Sequence, residues 1–152
     1  MNTPITERKT INKTVNIHAP APKVWEALTD LAIMKKWIGE TEINIITDWQ
    51  VGNPLILRGR LHGIRFENKG TVLQFEREKI LQYTHLSSIS RLPDQPESYS
   101  ILEFRLTPLG NQNHTSLTLT VTNFPTETIY KHLAFYWNVT LEIIKKLVEQ
   151  SA

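Results

Sequence analysis

Tyr83 and His85 are the residues of this sequence best placed to do chemistry. They stand two apart in Leu81-Gln82-Tyr83-Thr84-His85, so on an extended strand both share one side with Leu81. A buried imidazole beside a phenol can act as a general acid or base. The simpler account is a structural pair, because buried polar groups ordinarily do no more than satisfy their hydrogen bonds. Other catalytic signals are missing: the sequence has no Gly-rich phosphate loop, no Gly-x-Gly-x-x-Gly, no His-Glu-x-x-His and no Gly-x-Ser-x-Gly. The five histidines, His18, His62, His85, His114 and His132, show no ligand spacing, and zinc needs three or four converging ligands. With no cysteine, disulfides, thiolate nucleophiles and Cys-ligated zinc drop out together. The expectation is therefore no catalytic residue, no metal and no cofactor.

What could hold a ligand is an apolar enclosure. Its expected lining is Trp37, Leu57, Phe66, Leu73, Tyr83, His85, Leu102, Phe104, Leu119, Ile129, Leu133, Tyr136 and Trp137, mostly apolar with few polar groups, as in small-molecule sites. The same residues would equally fill a solid core, and pattern alone does not separate the two. Arg58, Glu103 and Arg105 neighbour inward leucines and phenylalanine on their strands, so they are expected outside.

Two kinds of element must position these side chains. From Thr126 to Gln150 no Gly or Pro interrupts the chain, and Ile129, Leu133, Tyr136, Thr140, Ile143 and Leu147 recur at steps of four and three. Tyr130, Ala134, Trp137, Leu141, Ile144 and Val148 form the adjacent row, giving one long helix with a broad apolar face. Thr126 or Thr128 can cap it, and Pro125 suits the approach to its first turn. Phe135 and Val139 fall on its polar side, and exposed together they would form a contact surface.

Ahead of this helix the period is two. Ile11 to His18 alternates as a half-buried strand. Ala19-Pro20-Ala21-Pro22 opens a short helix over Lys23 to Thr29, and a second covers Ile33 to Ile38, ended by Gly39. From Thr41 onward come strands at Glu42 to Trp49, Leu55 to His62, Ile64 to Phe75, Lys79 to Ser87, Tyr99 to Leu106 and Thr115 to Asn123. The third of these bends where Asn68-Lys69-Gly70 interrupts it. Short turns between successive strands imply antiparallel neighbours, and a terminal helix after them implies α+β layering. The prediction is a curved antiparallel sheet of about six or seven strands wrapped around a long C-terminal helix, with two short helices after the first strand, in a single domain over residues 1–152.

Charge and composition narrow the partners. The chain has 17 Lys plus Arg against 15 Asp plus Glu, a net charge of +2. That is too weak to argue for nucleic acid, and a solvated basic face is the simpler account of Arg58, Arg60 and Arg65. The opening nine residues contain no apolar signal core, and no stretch reaches the length of a membrane span. A cytoplasmic protein is the expectation.

The run His18-Ala19-Pro20-Ala21-Pro22-Lys23-Val24-Trp25-Glu26-Ala27-Leu28-Thr29-Asp30 resembles the opening of the START-like helix-grip (SRPBCC) proteins. Lys36-Trp37 is similar to the second-helix tryptophan of the subgroup named after the activator of the heat-shock chaperone ATPase. Gly70-Thr71-Val72, Lys79-Ile80-Leu81 and the long terminal helix agree in order, so the resemblance covers about residues 10 to 150. It departs at Ile38, where another aromatic often stands. The resemblance implies the helix-grip fold and a cavity between sheet and helix. It does not select a biochemistry, because one fold hosts carriers, cyclases and chaperone activators. The leading expectation is binding of a small, largely apolar molecule without catalysis. The alternatives are a protein-interaction module, with a protein partner or homodimer, and a cyclase or hydrolase using Tyr83 and His85.

Overall fold

The computed structural model describes residues 9–39 and 42–151; Thr41, where the period changes, and most of the opening segment lie outside them. The elements run β1 (Ile11–Ile17), α1 (Ala21–Thr29), α2 (Leu31–Ile38), β2 (Ile43–Ile46), β3 (Pro54–Leu61), β4 (Ile64–Glu76), β5 (Ile80–Ser87), β6 (Ser100–Leu109), β7 (His114–Thr122) and α3 (Glu127–Gln150). One seven-stranded antiparallel sheet results, ordered β1-β7-β6-β5-β4-β3-β2. This is the helix-grip architecture read from the sequence, with α3 held against the sheet and α1 and α2 inserted after the first strand.

Local chemistry sets the element ends. Thr126 accepts a hydrogen bond from the Ile129 amide at 3.1 Å and caps α3, satisfying one of the orphan donors of its first turn. Asp30 does the same for α2, accepting from Ala32 and Ile33. Gly39 ends α2 at φ 84°, a conformation that suits glycine. The strand expected over Glu42 to Trp49 is shorter than the alternation suggests. After Ile46 the chain turns, with Thr47 Oγ1 accepting from the Trp49 amide at 3.0 Å and Asp48 Oδ1 accepting from the Gln50 amide at 2.9 Å. Side-chain bonds to neighbouring amides offer the backbone an alternative to the ladder. The polar stretch between β5 and β6 contains two 3₁₀ turns at Ser88–Ser90 and Pro96–Ser98.

Curvature comes from β4. A side chain at Gly70 would put its Cβ 1.7 Å from the Thr84 carbonyl oxygen, so no other residue fits without moving β5. The Thr71 amide there donates to the Thr84 hydroxyl at 2.9 Å. Between Val72 and Gln74 the register against β5 shifts, the signature of an inserted residue that bends and twists a strand. Beyond the shift the outer face carries a polar ladder: Gln74 donates to Gln82 at 3.1 Å, and Gln82 to Glu103 at 3.2 Å.

The inner face carries Ile11, Ile17, Leu81, Leu102, Phe104, Leu117, Leu119 and Val121, all buried. From α3 come Leu133, Trp137, Thr140, Leu141, Ile144 and Val148. Fully burying a large apolar side chain contributes about 1.5–3 kcal/mol, so this contact dominates the fold. The α3 face is narrower than the two rows of the sequence imply, because Ile143 is 41% exposed. At its C-terminal end, Lys145 bonds the Asn16 carbonyl and pairs with Glu149 at 2.8 Å, while Glu149 accepts from the His18 amide at 2.8 Å. Lys145 foremost, then that amide, holds the Glu149 carboxyl below its usual range.

Candidate ligand-binding groove

Pleating places Tyr83 and His85 on the inner face of β5 with Leu81, the side toward α3. Leu81 and Tyr83 are buried, His85 partly so. Across from them on α3 stand Tyr136 and His132, one helical turn apart, each within electrostatic reach of its partner: His132 of His85, and Tyr136 of Tyr83. A two-residue strand step and a four-residue helix step have nearly equal rise, which lets two strand residues match two helix residues. The His132 and Tyr136 rings lie 6.3 Å apart.

Burial decides the ionisation of the strand pair. Although part of His85 remains accessible, its imidazole is enclosed enough that desolvation, and secondarily His132, lowers its pKa to about 4. It is therefore neutral near pH 7, with one ring nitrogen a donor and the other an acceptor. Desolvation pushes the Tyr83 hydroxyl up, with a smaller contribution from Tyr136, so this phenol keeps its proton. A neutral imidazole and a protonated phenol suit hydrogen bonding of an uncharged polar group better than proton abstraction by a phenolate.

One further polar group belongs to this face and does not stand out in the sequence. Asn68 pairs in register with Leu57 on β3 and Ser87 on β5, which places it on the inner face. Its Oδ1 is buried and has no hydrogen-bond donor among the described residues. Leaving such an acceptor unmet costs about 1–3 kcal/mol.

The expected lining residues divide into two groups. Trp37, Leu102, Phe104, Leu119, Leu133 and Trp137 are buried in direct packing. The Trp137 ring lies 5.5 Å from Phe104, 6.0 Å from Trp37 and 5.1 Å from Tyr136, and the Trp37 indole donates to the Ala27 carbonyl at 2.7 Å. Here the shared residues make solid core. Leu57, Phe66, Ile129 and Tyr136 are only half-buried, as are His85 and Asn68, and all six lie on β3, β4, β5 or the first half of α3. Leu73 does not belong to the lining: it follows the inward-facing Val72, so alternation turns it outward at the register shift of β4, and it is 37% exposed.

A family model described as Activator of Hsp90 ATPase homolog 1-like protein matches residues 18–149. The chain belongs to this family. A Cytophaga hutchinsonii protein solved in solution is 36% identical, with a TM-score of 0.80 over 96% of this chain and 98% of that one. The Aha1 dimer of Colwellia psychrerythraea is 24% identical, with a TM-score of 0.71 over 93% and 96% of the two chains. CalU16 of Micromonospora echinospora is 21% identical, with a TM-score of 0.67 over 97% of this chain and 80% of that one. Those two likenesses establish the shared fold. No curated protein matches the chain.

Proposed function

We propose that this family member binds a small, largely apolar molecule between β3–β5 and the first half of α3, without transforming it. The buried, unmet Oδ1 of Asn68 carries this reading. A ligand donor placed there would remove the cost of the orphaned acceptor, while the neutral His85 imidazole offers a second hydrogen bond and Leu57, Phe66, Ile129 and Tyr136 cover the apolar part. Native mass spectrometry of freshly purified protein, before and after organic extraction, tests the proposal. The expected result is a small molecule released by extraction and absent from Leu57→Trp protein, whose half-buried site admits a larger ring more readily than the packed core does. Protein that carries no molecule and takes up none when offered apolar compounds would overturn it.

A second reading rests on α3's outer side. Phe135, Val139 and Ile143 are 73%, 44% and 41% exposed and follow one another at helical steps of four, forming a single apolar stripe. The Colwellia relative was solved as a dimer, and a second copy meeting this stripe would assemble the present chain likewise. Sedimentation equilibrium should then give a concentration-dependent mass that Phe135→Ser returns to that of a monomer. A monomeric mass for the unaltered protein at high concentration would remove this reading.

A further inference from the structure

The β3–β4 hairpin carries on its outer face an array of charged side chains that the proposed groove does not use, although the two regions share Phe66. The register sets Arg58 opposite Glu67 and Arg60 directly opposite Arg65 on the β3–β4 hairpin. Arg58 Nε lies 2.8 Å from Glu67 Oε2, and Arg60 Nε lies 3.5 Å from Glu42 Oε2. Among the described residues no carboxylate pairs with Arg65. Like charges directly opposite on neighbouring strands are destabilising, and a solvated basic face gains nothing from that arrangement.

These side chains, with Gly59, Phe66 and Ser88, line a shallow depression of about 520 Å³ that is open to solvent. A Cβ at Gly59 would approach the Glu42 carbonyl to 2.9 Å and the Phe66 ring to 3.0 Å, so glycine permits the close fit of β2, β3 and that ring. The hairpin ends in a tight turn, with His62 and Gly63 both at positive φ, the conformation that matches the twist of paired strands. The two arginines are thus set opposite each other on a paired scaffold.

We propose that Arg60 and Arg65 bind a phosphate-class oxyanion in this depression. An anion between them turns their mutual repulsion into two charge-assisted contacts, and the planar guanidinium fork fits phosphate oxygens in pairs. The chemistry is the same for free phosphate, a soluble phosphate monoester or a phospholipid headgroup.

The test is an NMR titration of the arginine Nε–H signals with inorganic phosphate, at ionic strength held constant with chloride. Saturable shifts at Arg60 and Arg65 are expected, weakened about tenfold or more in Arg65→Gln, since a hydrogen bond to a charged group is worth about that factor. Arg77→Gln, removing an 82%-exposed arginine paired with Glu78, should leave the affinity unchanged. Shifts that never saturate, or equal weakening by both substitutions, would overturn the proposal. Because Arg65→Gln relieves a like-charge pair, its unfolding midpoint should equal or exceed that of the unaltered protein, which separates lost binding from lost folding. Cosedimentation with phosphatidylcholine vesicles containing phosphatidic acid distinguishes the sources: Arg65-dependent binding there identifies a headgroup, and its absence alongside phosphate binding identifies a soluble phosphate.

Discussion

At the scale of single residues, the account turns on His85 and Asn68. The unfolded chain takes up a proton on His85 near the ordinary histidine pKa of about 6.5, whereas the folded protein does so only near 4. Between those values the unfolded state binds more protons, so stability falls as pH drops through that window. The loss should be on the order of 2 kcal/mol once the partial exposure of the residue is allowed for. Urea unfolding at pH 7, 5.5 and 4.5 measures it, and in His85→Gln the decline over this window should flatten. A decline unchanged in His85→Gln would show that other groups cause it. Alternation along Leu81-Gln82-Tyr83-Thr84-His85 was enough to place both polar residues on the inner face. Asn68 was not legible in the same way, because beside Lys69 and Gly70 it reads as part of an interruption. Only the register with Leu57 and Ser87 shows which way it faces.

At the scale of elements, β4 shapes the sheet and α3 fills it. The bend at Gly70 is visible in the sequence as a glycine within a strand, but its cause is a collision with the backbone of another strand. Gly70→Ala should therefore cost about 2 kcal/mol or more, because a carbonyl cannot rotate aside as a flexible side chain can. Chemical unfolding of the purified variant gives the value, and a change within about 0.5 kcal/mol, the range of ordinary surface substitutions, would contradict the geometry. That Leu73 falls at the register shift could not be read, since nothing in Val72-Leu73-Gln74 marks where β5 fails to keep step. The long helix was legible from its periodicity, but its buried width was overread. A helix touching one curved surface buries a stripe, and Ile143 falls outside it.

At the scale of the whole molecule, most of the strand order follows from short turns between successive strands. The pairing of β1 with β7, from Ile11 opposite Val121 to Ile17 opposite Thr115, joins segments about a hundred residues apart, and no local pattern encodes it. Whether the interior was hollow or solid was equally hidden, because both need the same inward apolar residues. The structure has rings in contact around Trp137 and half-buried side chains toward β3. Among the described residues no helix is long and apolar enough to cross a membrane. The most direct test of the proposed groove is an amide NMR titration with the neutral hydrophobic probe N-phenyl-1-naphthylamine. The account predicts saturable one-to-one binding, with the largest shifts at Leu57, Phe66, Asn68, His85, Ile129 and Tyr136. Shifts centred instead on Phe135, Val139 and Ile143, or a response that never saturates, would contradict it.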